Sequence, residues 1–262
     1  MNQRIIFFDI DGTLLDEETA TVPQSTIQAI SQVRKNGHIC VINTGRPIST
    51  IDQKVKDIGF DGYICGCGTY IEYHHQNIFH TELPYDLRKK VIQMTFECKI
   101  ETVLEGKNGV YFLENNYQPL ICQFQQRYID EGFNVGIYNQ LDVVMFDKFA
   151  AWYDENADIE RFKDFLEPYF EIIQRDVNFI EVVPKGYSKA TGIQTLIDYL
   201  HIPLEQTISI GDSTNDLPML SYTKESVAMG NSHPLLFDLV TYRTKHIKAD
   251  GIEHALKHFH II

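Results

Sequence analysis

The feature that most limits what this chain can fold into is the apolar run Ile5-Ile6-Phe7-Phe8 and the carboxylate that ends it, Asp9. A run with no polar alternation reads as a strand buried on both faces. The pattern recurs at residues 38–43, which end in Thr44-Gly45-Arg46, and again at residues 63–65. Helical patterns lie between these runs. Pro23 opens one, with Ile27, Ile30 and Val33 on one face and Gly37 as its stop; residues 48–58 read as another, stopped by Gly59. Strand alternating with helix is the signature of a parallel sheet with crossover helices.

The texture then changes. A hairpin is expected around His74-His75-Gln76, helices over residues 84–99, 117–131 and 154–167, and strands over 101–105, 110–114, 142–147, 171–174 and 178–183. Helices mixed with antiparallel strands indicate an α+β insert. The first texture returns with a helix at 188–200, a strand at 207–210 ending in Gly211-Asp212, a helix at 216–221 and a strand at 227–229 ending in Gly230-Asn231. The expected fold class is α/β: a Rossmann-like parallel-sheet core, residues 1–81 and 185–262, interrupted by an α+β domain at 82–184.

Composition narrows the partners. Lys and Arg total 23 against 36 Asp and Glu, a net charge of −13. Such a surface repels nucleic acid and anionic lipid heads. An anionic substrate would therefore need positive charge concentrated locally, most directly by a bound cation. The five cysteines, Cys40, Cys65, Cys67, Cys98 and Cys122, are odd in number and contain no C-x-x-C, so free thiols in a reducing compartment are expected. No apolar run approaches the ~18 residues of a membrane span, and the N-terminal residues lack a signal-peptide pattern. A cytoplasmic protein is expected. Neither oligomeric state nor a particular substrate is legible.

In open α/β sheets, ligands bind outside the carboxyl ends of the strands. Those ends carry Asp9 and Asp11, Thr44-Gly45-Arg46, and Gly211-Asp212-Ser213-Thr214-Asn215-Asp216. Asp9, Asp11, Asp212 and Asp216 would repel one another without a cation. Oxygen ligands, with few carboxylates, favour Mg²⁺. The adjacent His74 and His75 point to opposite faces of a strand and make poor joint metal ligands with His80.

Asp9-Ile10-Asp11-Gly12-Thr13 after an apolar strand resembles the first motif of the haloacid dehalogenase superfamily. Thr44 fits the second motif, Lys189 at the start of a helix the third, and Gly211-Asp212-Ser213-Thr214-Asn215-Asp216 the fourth. Asn43-Thr44-Gly45-Arg46-Pro47, Val227-Ala228-Met229-Gly230-Asn231 and Asp250-Gly251-Ile252 narrow the resemblance to the Cof-type subfamily, and the insert resembles its C2-type cap. The resemblance implies a Mg²⁺-dependent phosphatase acting on small-molecule phosphate esters, sugar phosphates or phosphorylated cofactors. Asp9 would be the nucleophile and Asp11 the acid/base. Mg²⁺ would be held by Asp9, the Asp11 carbonyl and Asp212, with Asp216 a direct or outer ligand. Thr44, Gly45, Lys189 and Asn215 would grip the phosphate. Arg46 is open to two roles, substrate contact or pairing with a nearby acid. Cys67-Gly68 stands where family members often carry Asn-Gly, which puts details of substrate contact in question. The rivals are a phosphomutase using the same Asp pair and a catalytically quiet binding protein on this fold.

Overall fold

A computed structural model describes residues 3–262. In chain order the strands are β1 (Ile5–Phe8), β2 (Ile39–Asn43), β3 (Gly62–Cys65), β4 (Tyr70–Tyr73), β5 (Gln76–His80), β6 (Glu101–Gly106) and β7 (Gly109–Leu113). There follow β8 (Val135–Tyr138), β9 (Lys148–Trp152), β10 (Phe170–Asp176), β11 (Phe179–Pro184), β12 (Thr207–Gly211), β13 (Glu225–Ala228) and β14 (Tyr242–Arg243). The helices are α1 (Gln24–Lys35), α2 (Gln53–Lys56), α3 (Tyr85–Glu97), α4 (Pro119–Asp130), α5 (Ile159–Leu166), α6 (Lys189–Leu200), α7 (Leu217–Tyr222) and α8 (Gly251–His258).

The chain divides into two compact units. One holds the residues up to Gly45 together with Ile51–Phe79 and Ser188–Ile262; the other holds Arg46–Thr50 and His80–Tyr187. The expected insert, 82–184, lies inside the second unit. The fold class is α/β, a parallel-sheet core with an inserted α+β unit.

The first unit is built on a sheet of order β14-β13-β12-β1-β2-β3-β4-β5. From β14 to β3 neighbouring strands are parallel, and β4 then pairs antiparallel to β3. All four residues of β1 are fully buried. Ile5 and Phe7 join a core with Ile193 and Leu196 of α6 and Met219 and Leu220 of α7, while Ile6 and Phe8 point to the opposite, equally buried face. On α1, the residues at helical spacing Thr26, Ala29, Ile30 and Val33 are buried, and Ile27 is half-buried.

In the second unit the sheet order is β10-β11-β9-β6-β7-β8, antiparallel except for the β7–β8 pair. Strand alternation sorts its side chains. Leu104, Phe149, Ala151, Ile180 and Val182 pack under α3 and α5, whereas Val103, Phe112, Ala150 and Trp152 face α4. The apolar stretch at 142–147 pairs in no ladder, and the strand is β9, immediately after it. This strand begins on Lys148, whose buried ammonium is held by Glu105 and Glu181, at 2.5 and 2.9 Å. The helix expected at 48–58 is split by extended backbone at Asp52 (ψ 140°) into a 3₁₀ turn, Ile48–Thr50, and α2. His80 Nε2 donates to Asp147 Oδ1 at 2.9 Å, and His74 and His75 form the β4–β5 turn. Among the described residues no helix is long and apolar enough to cross a membrane, and all five cysteines are free.

The acid pair behind β9 carries a pH signature. Burial raises the pKa of Glu181, but Lys148 and Arg175 outweigh it and hold the carboxyl down at about 2, against an ordinary 4.5. The depressed folded value means its stabilisation is present above pH 4.5 and lost as pH falls toward 2. It is on the order of 3 kcal/mol. Glu105, sharing Lys148, is shifted upward by its burial and acts in the opposite sense. The gap in urea unfolding free energy between the native chain and Glu181→Gln is therefore expected to shrink between pH 6 and pH 2.5; a gap independent of pH would contradict the assignment.

Candidate active site

In the first sheet β1 lies between β2 and β12, so the chain winds outward in both directions from β1. This is the topological switch point, where crossover helices part and leave a crevice at the strand ends. Asp9 occupies that end of β1, and its N–H extends the ladder by donating to the Ile210 carbonyl of β12 at 3.0 Å. Asp212 follows β12, and Thr44 follows β2, its N–H donating to the Ile64 carbonyl at 2.9 Å.

The centre of the cluster is the fully buried Lys189. Its Nζ donates to Asp9 Oδ1 at 2.6 Å and to Asp216 Oδ1 at 2.5 Å. Lys189 opens α6, whose N-cap Ser188 accepts from the Thr191 N–H at 3.2 Å while Thr191 Oγ1 accepts from the Ser188 N–H at 2.9 Å. A cation at a helix N-terminus is unfavourable by itself, and the two carboxylates reverse that balance. The helix can approach β3 because position 192 is glycine: a Cβ there would lie 2.4 Å from Ile64 Cγ2 and 3.1 Å from Gly68 Cα. Asn43 Nδ2 donates to the Lys189 carbonyl at 3.0 Å and ties the helix start to β2. Lys185, four residues before Lys189 in the chain, is exposed in the second unit and paired with Glu167.

Asp216 works through both oxygens. Oδ2 accepts the N–H groups of Asp212 and Ser213, at 2.9 and 3.0 Å, and Oδ1 takes Lys189. It thus shapes the loop after β12 and anchors the lysine. Asp212 accepts from Thr13 Oγ1 at 2.8 Å. Its carboxylate rests where a side chain at position 12 would be: a Cβ on Gly12 (φ +75°) would lie 2.3 Å from Asp212 Oδ2. Asn231 Nδ2 donates to the Gly12 carbonyl at 2.7 Å and Asn231 Oδ1 accepts from Ile247 N at 2.9 Å, fixing the turn.

Asp11 is half-buried in this turn and bridges to Leu15. Asn215 lies in the 3₁₀ turn after Asp212 and accepts from Ser213 Oγ. Thr44 is buried, and its carbonyl accepts from the N–H of Cys67 at 3.1 Å. Cys67 is buried with left-handed backbone (φ 56°). Arg46 belongs to the second unit, where its Nη1 donates to the Thr50 carbonyl at 3.3 Å and its charge acts on Glu105. The supporting contacts of Thr13, Asn43 and Asn231 were legible only as letters of motifs, because a motif does not tell which atom donates to which.

The electrostatics are lopsided. Asp9, Asp212 and Asp216 each bring an oxygen within 4.8 Å of the others. Lys189 supplies one positive charge against these three negative ones. Burial, then Asp216, raise the pKa of Asp9 well above the ordinary carboxylate value, with Lys189 opposing. Burial and Asp216 push Asp212 to about 7. Burial would lower Lys189, but Asp216 and Asp9 raise it above its ordinary value. Uncompensated, closely spaced oxygen donors fit a hard divalent cation such as Mg²⁺.

Comparison with known proteins gives a consistent picture. A family model for haloacid dehalogenase-like hydrolases matches residues 6–256. The chain is 26% identical to 5-amino-6-(5-phospho-D-ribitylamino)uracil phosphatase YitU of Bacillus subtilis, over 97% of each chain. It is 25% identical to pyridoxal phosphate phosphatase YbhA of Escherichia coli, over 99% of this chain and 98% of the other. Among solved structures it resembles the HAD subclass IIB sugar phosphatase BT4131 with a TM-score of 0.83 and 29% identity, over 99% of this chain and 100% of the other.

Removing Lys189 would leave buried carboxylates without their partner. Lys189→Met, close in volume, is expected to lower the unfolding free energy by roughly 3–5 kcal/mol. Adding Asp9→Asn should restore part of that loss. Additive effects in urea unfolding would show that the pair does not interact.

Proposed function

The chain belongs to the haloacid dehalogenase-like hydrolases, of the Cof type, and is a phosphoric monoester hydrolase; on that premise we propose that it cleaves small-molecule phosphate esters through an aspartyl-phosphate on Asp9, with Mg²⁺ as cofactor. The observation that carries this reading is the Asp9–Lys189–Asp216 cluster beside Asp212 at the switch point of the sheet.

Asp9 supplies the attacking carboxylate. One of its oxygens forms a bond to phosphorus while the bond from phosphorus to the ester oxygen breaks. Asp11, two residues on, gives its proton to the departing oxygen, then takes one from the water that attacks phosphorus and releases Asp9. Lys189 favours the ionised form of Asp9 before attack and offers its charge to the phosphoryl oxygens. Thr44, the Gly45 amide and Asn215 complete the grip. Asp9, the Asp11 carbonyl and Asp212 would hold Mg²⁺, with Asp216 behind them. When bound, the ion supplies positive charge that offsets repulsion between the carboxylates and the incoming phosphate. Thr13 and Asn231 position Asp212 and the Gly12 turn. Arg46 is assigned to the cap, within the influence of Glu105.

The relatives named above act on a uracil-bearing ester, a pyridine-bearing ester and sugar phosphates, so the family premise alone leaves the organic group open. The free cysteines suit the cytoplasm.

Asp9→Asn is expected to lower phosphate release by about four orders of magnitude or more. Because Asp9 is crowded by like charges, its urea midpoint should hold or rise. Retained turnover in pure Asp9→Asn protein would remove Asp9 as nucleophile. Chelation of divalent ions should abolish phosphate release from an ester panel, and added Mg²⁺ should restore it. Turnover indifferent to chelation would exclude the metal role, and return of the phosphoryl group to substrate in place of free phosphate would favour the mutase.

A further inference from the structure

The face of the second sheet beneath α4 lines a half-open cavity of about 230 Å³. Half of its lining residues are aromatic, Phe112, Phe124, Tyr128, Trp152 and Phe179, with Val103 also on the wall. Trp152 and Phe179 are paired across β9 and β11 and lie stacked, 4.4 Å between centroids and 4° between planes. The two rings cover each other's faces and border the cavity together.

One end is polar. Glu105 belongs to the same strand face as Val103 and reaches the cavity with Lys148 at 2.5 Å and Glu181 beyond it. Arg127 borders the cavity with its guanidinium 5.3 Å from the Phe124 ring centre and 5.5 Å from that of Tyr128. Above, α4 covers the space loosely: Ile121 is its only buried residue among those described, and the lining residue Leu120 is 48% exposed.

Size and chemistry select the ligand. An apolar cavity of about 150 Å³ accepts benzene, so this one has room for a substituted single ring or a fused pair. A sugar would bring several hydroxyls to walls that offer few partners, and each unmade hydrogen bond opposes binding. A planar ring can meet the aromatic side chains that line the cavity edge to face or stacked, and a ring N–H or amino group finds an acceptor in Glu105.

We propose that this cavity binds a planar, nitrogen-bearing aromatic ring, either free or as the organic group of a phosphate ester. The second source rests on the phosphatase reading above; ring binding itself does not.

Trp152 is the single tryptophan of the chain, so its fluorescence reports the cavity directly. The intact protein is titrated with pyridoxine and with cytosine, a pyridine and a pyrimidine, and with glucose as the non-planar control. Saturable quenching by at least one of the two aromatic rings, absent with glucose, is expected. Leu120→Tyr, which adds bulk from a half-exposed helix position, should weaken that binding about tenfold. Circular dichroism confirms that the variant is folded, and Phe124→Ala serves as a second variant. No saturable quenching by either ring, equal quenching by glucose, or affinity unchanged in both variants would overturn the proposal.

Kinetics then separate the two sources. If the ring is part of the substrate, Leu120→Tyr lowers the ratio of kcat/KM for pyridoxine 5′-phosphate to that for acetyl phosphate about tenfold. An unchanged ratio with weakened pyridoxine binding identifies a free ring ligand. If no ester is hydrolysed by the native protein, the phosphatase reading fails while the fluorescence result still decides what the cavity binds.

Discussion

A lysine ammonium sealed from water between two carboxylates is the interaction on which the rest of this structure depends. Lys189 would be strongly disfavoured at its depth if left alone. Held by Asp9 and Asp216, it fixes the start of α6, the loop after β12 and the carboxylate at the end of β1 with one charge. The glycines at 68 and 192 and the side chain of Asn43 bring the helix close enough for this contact. The local backbone is thus subordinate to an electrostatic requirement.

The same cluster is balanced against itself. Three carboxylates share one ammonium, and Asp9 and Asp212 are both shifted upward as a result. A protein selected for stability alone would avoid this crowding. A bound cation would relieve this crowding, and without one an acidic surface repels anions. It also separates duties among acids of the same type: Asp216 is saturated by backbone and lysine partners, whereas Asp212 rests against a hydroxyl and a glycine.

Much of the first unit was legible because buried parallel strands leave an unmistakable trace in sequence. Ile5–Phe8 and Ile39–Asn43 have no polar face, and the polar residues that follow them mark the functional edge. The second unit was harder. Residues 142–147 carry as apolar a run as a strand does, yet they join no ladder, while β9 begins on a lysine whose burial depends on Glu105 and Glu181 from strands distant in sequence. Such long-range neutralisation has no local signal. The same holds for the bond from Thr13 to Asp212 and for the need for glycine at 12, both of which depend on side chains about two hundred residues away. Nor could the aromatic residues of the insert be sorted: Phe112, Trp152 and Phe179 have the spacing of core residues, and only the loose fit of α4 turns part of that core into a cavity.

The chain passes between its two units four times, because the short Arg46–Thr50 segment belongs with His80–Tyr187. The insert is therefore not a single cassette. A recombination event that exchanged only the long segment would leave behind five residues, including the arginine that acts on Glu105. Those five begin directly after Thr44-Gly45. Inheritance of the complete second unit thus requires a breakpoint directly beside Thr44-Gly45, inside the motif that follows β2.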